Sequence, residues 1–482
     1  MFKRLLLLLL AVFLLLAVIV VVKTTRYGTA VPQAASMALP PAPDSAVSHM
    51  SQAVQIPTVS YADSLPVDTP AYTRFRAFLE RAYPQVHQRL ERKSFNEFSY
   101  LYTWKGKDTT LAPWVLMAHM DVVPVEPGTE GKWTVGPFSG TVKDGKIWGR
   151  GVADDKSCVI AILESVEDLL KKGYQPERTI YLSFGHDEEI SGARGARTIA
   201  NYMKERHINP EMVLDEGGEL SQEQFNMIKR PIGLIAVAEK GFLSFRLSVS
   251  QPGGHSSMPK AETSIDILSK ALVNLRAQQM PYRVSPTVET LFSRLGPELP
   301  FTQRMAFANS WLFGSMIQKK MEASNTSNAM FHTTLVPTII NSGIKDNVIP
   351  TDAVAIVNCR NMIEDPQTDV IAFMKKQIND DRVTITPIAS NRDATEVTDV
   401  NGQAFKKVEK AMVKVMPGVI PAPFILMGGT DSRNFGIVSK GIVRFAPQMD
   451  PKGYHGIDER ITVEDLSRMI FFYAQLIQDS GK

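Results

Sequence analysis

The chain has 482 residues and a net charge of +3, from 53 Lys and Arg against 50 Asp and Glu. That length exceeds one ordinary core and favours two domains, while the balanced charge gives no support for a nucleic-acid partner. Two cysteines, Cys158 and Cys359, are too few for a disulfide-stapled scaffold. Each lies in an apolar stretch and reads as a buried free thiol.

The first predicted element is "LLLLLLAVFLLLAVIVVV" at 5–22, flanked by Lys3, Arg4, Lys23 and Arg26. At about 1.5 Å per residue it reaches the lower limit for spanning a bilayer. A cleavable signal has an apolar region of only about 7–15 residues and a small-residue cleavage site. Residues 1–26 therefore read as a retained membrane anchor, with a cleaved signal and a secreted product as the alternative. Charges flank both ends, and the body is expected on the non-cytoplasmic side: periplasmic, lumenal or extracellular. Residues 27–47, rich in Ala and Pro, read as a linker.

From 48 to 238 two patterns alternate. "WVLMAH" (114–119), "RTIYLSFG" (178–185) and "EMVLDEGG" (211–218) read as strands. "SCVIAILESVEDLLKKG" (157–173) and "GARTIANYMKER" (195–206) read as helices, the first stopped by Gly173. Such alternation predicts an α/β fold whose mostly parallel central sheet is flanked by helices. Ligand sites in such sheets gather beyond the carboxyl ends of the strands.

From 239 to 393 the reading changes to a smaller inserted α+β lid or dimerisation domain. Its predicted elements are the strand "GFLSFRLSVS" (241–250), the helix "TSIDILSKALVNLRAQ" (263–278), strands within "NVIPTDAVAIVNCRNM" (347–362), the helix "TDVIAFMKKQIND" (368–380) and the strand "RVTITPI" (382–388). Residues 282–335 inside it are poorly patterned and contain many Met and Phe. They read as helical, either covering a site or adding scaffold. The chain returns to the first domain over 394–482 and ends in the helix "VEDLSRMIFFYAQLIQD" (463–479).

His119, Asp154, Glu189, Asp215 and His455 form a candidate metal-binding set. Two histidines and three carboxylates suit Zn²⁺, and the absence of thiolates suits a catalytic site. Two ions sharing one bridging carboxylate need about this many ligands. Asp154, in "GRGVADDKS", is the candidate bridge. Asp121, two residues after His119, is placed to fix the imidazole tautomer. Each piece alone is ordinary, since a lone "DEE" is usually a solvated loop. The signal is their joint placement at strand ends and helix starts.

The motifs "MAHMDVVP", "WTVGPFSGTVKDGKIWGRGVADDK", "FGHDEEISGARGA", "VLDEGG", "GGHSSMP", "NVIP", "GGTDSRNF" and "YHGIDE" follow in order. From about 48 to 480 the chain resembles the di-zinc metallopeptidases that include aminoacylase, carboxypeptidase G and carboxypeptidase S. The likeness is greatest to carboxypeptidase S and the N-fatty-acyl-amino-acid synthase/hydrolases. The resemblance implies a zinc-exopeptidase-like catalytic domain holding two Zn²⁺ per subunit. It makes His119 a ligand of one metal and Asp154 the bridge; Glu189 and Asp215 bind one metal each, and His455 completes the set. Glu188 is then the general base, and the Asp154–Asp155 peptide is cis. His255 would reach the developing oxyanion, often from a partner subunit in dimeric relatives, so a homodimer through the inserted domain is expected. Asn347 and Arg360 would hold the substrate, with Arg360 on its free carboxylate. Gly428, Gly429 and Thr430 would line its other side. The implied reaction is hydrolysis of an amide beside a free carboxylate, in C-terminal peptides or N-acyl amino acids. An aminopeptidase or dipeptidase on the same scaffold, or a non-catalytic metal-binding protein, are the alternatives. Asp187 has no defined role, and Asp431 is either a substrate-loop residue or a helix cap.

Overall fold

The strand Trp114–His119 is apolar almost throughout and buried at every position, as a strand covered on both faces must be. It lies inside a nine-stranded sheet in the computed structural model, which describes residues 2–31, 37–62, 64–225 and 227–481. The spatial order is Glu91–Phe95, Ser99–Trp104, Ile180–Gly185, Trp114–His119, Met212–Asp215, Ile442–Arg444, Ile232–Glu239 and Ile420–Leu426, with Leu220–Ser221 paired to the seventh. The central four, from Ile180–Gly185 to Ile442–Arg444, run parallel.

Side chains of a strand alternate between faces, and Trp114–His119 divides accordingly. Trp114, Leu116 and Ala118 join the larger core, beside the helices Lys156–Lys171, Gln403–Val415 and Val463–Gln478. Val115 and Met117 face the other layer, with Ile199 and Met203 of helix Ala196–Glu205 and with Phe435. The C-terminal helix starts at a capping box in which Thr462 and Asp465 satisfy each other's backbone N–H groups. Cys158 and Cys359 are both buried and free.

A separate four-stranded antiparallel sheet has the order Thr334–Ser342, Asp352–Arg360, Leu243–Ser250 and Thr384–Pro387. Helices Ser264–Ala277 and Gln367–Ile378 cover one face, burying Ile267, Leu275, Val370 and Met374 against Phe245 and Val357. A two-residue ribbon, Gly254–His255 against Val348–Ile349, projects beside it.

Two segments differ from the sequence reading. The stretch expected to be one inserted body, 239–393, divides. Its helix Pro286–Leu295 packs Leu291 and Leu295 onto Ile232, Ile420 and Ala422 of the large sheet, not onto the small one. The expected linker is tied to the body: Val31 packs on that same cluster, Pro40 O accepts from Ser467 Oγ, and a helix begins at Asp44 with Ala46 buried. Residues 32–36 of that linker lie outside the described residues. The N-terminal helix Phe2–Arg26 has a mean hydropathy of 3.7 over its most apolar window and is the one described helix long and apolar enough to cross a membrane. Its composition suits a signal segment equally.

Candidate active site

The parallel strands deliver the site at their carboxyl ends. His119 closes its own strand, Glu188 and Glu189 begin the short 3₁₀ turn after Ile180–Gly185, and Glu216 follows Met212–Asp215. Asp154 arrives from the loop before helix Lys156–Lys171, and its peptide bond to Asp155 is cis, as the resemblance implied. The tight approach depends on Gly151, at φ +82°, where an added Cβ would sit 2.2 Å from Val122. His455 stands in a loop with four positive φ angles, at Asp450, Gly453, His455 and Asp458.

These side chains converge on Asp154. His119 Nε2 is 2.9 Å from Asp154 Oδ1. His455 Nε2 is 3.1 Å from Asp154 Oδ2 and 3.2 Å from Glu189 Oε2. Three groupings have donor atoms mutually within 4.8 Å: His119 with Asp154 and Glu216, His119 with Glu188 and Glu189, and Asp154 with Glu189 and His455. Burial raises the Glu188 carboxyl well above the usual range; His119 opposes this, while Asp431, Glu189 and Glu216 add to it. Burial raises Glu216 likewise, with Asp154 and Asp155 adding. Hydrogen bonds to Asp154 and Glu189 push the His455 imidazole up to about 10. Glu189 Oε1 is buried with no partner among the described residues. Crowded carboxylates, an orphan buried oxygen and a donor set of only nitrogen and oxygen fit divalent cations.

Behind each of these groups stands a second acid that clamps backbone. Asp121 accepts from the N–H groups of Glu188 and Glu189, both at 3.1 Å. Its main-chain oxygen is 3.0 Å from His119 Nδ1 and its carboxylate 3.4 Å away. It thus orients the imidazole and the acidic turn together. Asp187 accepts from the N–H of Arg194 and Gly195, at 2.7 and 2.9 Å, pinning the entry to helix Ala196–Glu205. Glu459 accepts from the N–H of Gly151, Ala153 and Asp154 and from Arg150 Nη1 at 2.6 Å. Glu239 receives Thr430 N and Oγ1 and Arg444 Nε. Sequence reasoning assigned no role to Glu459 or Glu239; membership of "YHGIDE" was the only signal for the former.

The predicted site residues are not all brought together. Asp215 is absent from the cluster. Its Oδ2 accepts Ser432 N–H at 2.8 Å, and the neighbouring Glu216 turns to the cavity instead, as consecutive extended residues face opposite ways. His255 is exposed on its ribbon, its imidazole Nδ1 hydrogen-bonded to Ser257, while the Asn347 carbonyl accepts from Ser256 N–H. Neither lines a cavity with Glu188. Arg360 does. It shares a 450 Å³ cavity with Glu188, Glu189, Gly429, Thr430 and two further cations that sequence reasoning missed, Arg392 and Arg433. Its guanidinium lies 4.6 Å from the Phe242 ring. Gly428 lines the neighbouring 430 Å³ cavity, which also holds Asp154, Glu216 and His455; Gly429 and Thr430 line both. Asp431 opens the 3₁₀ helix Asp431–Ile437 and lines the arginine-containing cavity.

The description "Peptidase family M20/M25/M40" matches residues 115–479. The chain belongs to this family. It is 38% identical over 441 residues to "Probable carboxypeptidase S-like 2" of Dictyostelium discoideum, covering 90% of this chain and 84% of that one. It is equally 38% identical over 438 residues to the human "N-fatty-acyl-amino acid synthase/hydrolase PM20D1", covering 89% and 86%. An M20 family metallo-carboxypeptidase from Sulfolobus solfataricus shares the fold at a TM-score of 0.65 and 17% identity, covering 90% of this chain and 99% of that one. The chain is therefore a hydrolase of family M20, acting on amide bonds with metal dependence.

Proposed function

We propose that the chain hydrolyses the amide bond of N-acyl amino acids or C-terminal peptides, with Glu188 as general base and two zinc ions held by His119, Asp154, Glu189, Glu216 and His455. The observation that carries this reading is the set of three arginines, Arg360, Arg392 and Arg433, sharing a cavity with Glu188. A free carboxylate bound there presents the adjoining amide to Glu188. An aminopeptidase needs an anionic subsite where these cations stand.

When bound, the metal pair supplies Lewis acidity, polarising the carbonyl and acidifying the attacking water. Glu188 takes the water's proton as attack proceeds and passes it to the departing amine nitrogen. Asp121 keeps the Glu188 backbone fixed throughout. His455 and His119 hold Asp154 between them.

His255 and Asn347 enter this scheme through a second copy of the chain, through the inserted domain. The edge strand Thr334–Ser342 leaves Ile339 and Ile340 more than half exposed, as an unpaired interface would. The N-terminal helix is proposed as a retained anchor that keeps the body on the non-cytoplasmic side.

The deciding experiment compares Glu188→Gln with Glu216→Gln and Asp215→Asn. Glu188→Gln is expected to keep its zinc by elemental analysis and lose turnover by orders of magnitude. Glu216→Gln is expected to lose metal, whereas Asp215→Asn retains it. Near-normal rates in metal-loaded Glu188→Gln would refute the base assignment.

A further inference from the structure

The helices between 286 and 331 enclose a third cavity that this chemistry leaves unused. It measures 470 Å³, and its walls include Phe225, Phe292, Leu299, Phe307, Ile317 and Phe331. Interiors elsewhere are packed nearly solid, and an unfilled apolar space forfeits contacts along its whole lining. Its size lies in the range of small-ligand sites, roughly 300–1,000 Å³.

The three cavities form a series. Glu188, Glu189, Gly429 and Thr430 line both the arginine cavity and the one holding Asp154 and Glu216. Gln224 lines the latter and also the apolar cavity. One apolar cluster runs across that junction, joining Leu234, Phe424 and Leu426 on the metal side to Phe225, Leu299 and Phe307 on the other. Carboxylate, amide and aliphatic chain follow one another in the same order in an N-acyl amino acid.

We propose that the cavity among helices 286–331 is the acyl-chain site of this hydrolase, taking a long unbranched alkyl chain whose amide lies at Glu188. This rests on the amide-hydrolase reading above. The cavity's outer wall suits such a ligand. Met316 lines it and is half exposed, on the same helix as exposed Trp311 and Leu312. Lys23 of the N-terminal helix stands 5.8 Å from the Trp311 ring, and Asn309 Nδ2 donates to Val20 O and Thr24 Oγ1. A chain delivered from a bilayer surface meets the protein at that wall.

The test uses the full zinc-loaded chain in lipid discs with acetyl-, octanoyl- and palmitoylglycine. kcat/KM is expected to rise with chain length, by at most roughly fourfold per methylene buried. Ala306→Phe, which places a ring in the cavity, is expected to lower the palmitoyl-to-acetyl ratio at least tenfold while acetylglycine turnover stays within twofold. An unchanged ratio in folded Ala306→Phe overturns the proposal, as does the absence of any rise with length; Ser327→Leu is read the same way should Ala306→Phe fail to fold. A palmitoylglycine bearing a photoreactive chain end gives a second readout that needs no turnover. Crosslinks within 286–331 support the site even if no amide is cleaved, an outcome that would sink the hydrolase reading alone. Crosslinks elsewhere, or labelling by photoreactive palmitate but not by the glycine conjugate, overturn it.

Discussion

The carboxyl ends of the parallel strands and the ribbon of the inserted sheet hold their polar residues in opposite ways. At the strand ends, acids that face the cavity are backed by acids that grip main chain: Asp121 behind Glu188 and Glu189, and Glu459 behind Asp154. On the ribbon, the His255 imidazole is hydrogen-bonded to Ser257, two residues away, and the side chain is exposed. The first region is prebuilt by this chain alone, because many buried hydrogen bonds over-determine each side chain. The second is an exposed two-residue ribbon without such backing. Substitutions behind the strand ends should therefore cost both stability and rate, and substitutions towards the inserted sheet should cost progressively less.

Glu459 offers the largest break. Its carboxylate is fully buried, pairs with Arg150, and receives three consecutive-loop N–H groups leading to Asp154. Glu459→Gln leaves Arg150 buried without its counter-charge, for a destabilisation of about 3 kcal/mol. Loss of the clamp on Asp154 should also lower turnover by about 100-fold. Thermal unfolding and steady-state rates on the same preparation check both. A variant that is destabilised but fully active would show that the strand-end region does not need its backing acids.

The cavity-facing groups were largely legible in the sequence, and the backing groups were not. His119, Asp154, Glu189 and His455 each sit in a short motif, the first three beside an element boundary, so local pattern marks them. Glu459 acts on Asp154 across 305 positions, a pairing that no local pattern carries. The choice between Asp215 and Glu216 was illegible for a different reason. Asp215 ends its strand and Glu216 follows it, and the two face opposite ways, Asp215 to Ser432 N–H and Glu216 to the cavity. The strand Ile420–Leu426 was not assigned in the sequence; it carries Pro421 and Pro423 and lies at the sheet's edge, where proline is tolerated. The helices of 286–331 were hard to assign because their apolar side chains meet that edge strand and its neighbour, not the sheet that flanks them in sequence.

Arg360 tests the boundary between the two regions. It ends a strand of the inserted sheet yet lines the cavity of Glu188. Arg360→Ala removes a charge-assisted hydrogen-bond donor worth about 1.5–3 kcal/mol. KM for N-acyl amino acids should rise at least ~10-fold, with kcat nearly kept. The same substrate with its carboxylate amidated should show no difference between variant and parent. Equal losses on both substrates would mean that Arg360 shapes the cavity and binds no carboxylate.

The smallest effect belongs to Lys240, the residue on which the chain crosses between the sheets. It is buried, and its ammonium donates to Ala329 O at 3.0 Å and His332 O at 2.8 Å, tying the end of helix Asn325–Phe331 to the crossing. Burial lowers its pKa to about 8, with Cys359 opposing and Arg360 adding to the shift. The unfolded chain has the ordinary lysine value of about 10.4. Between these values the unfolded state binds the extra proton, so stability rises as pH rises from about 8 towards 10. As pH falls, that contribution is lost, and below about 8 both states are charged and the slope vanishes. The steepest slope one such group allows is ~1.4 kcal/mol per pH unit. Lys240→Met leaves two carbonyls unpaired at every pH, a constant offset, and should abolish only the slope. Unfolding midpoints of parent and Lys240→Met, compared at pH 7.5, 8.5 and 9.5, isolate it. Parallel curves would show that Lys240 keeps its proton on folding, and that the crossing is held by a charged lysine like those on the surface.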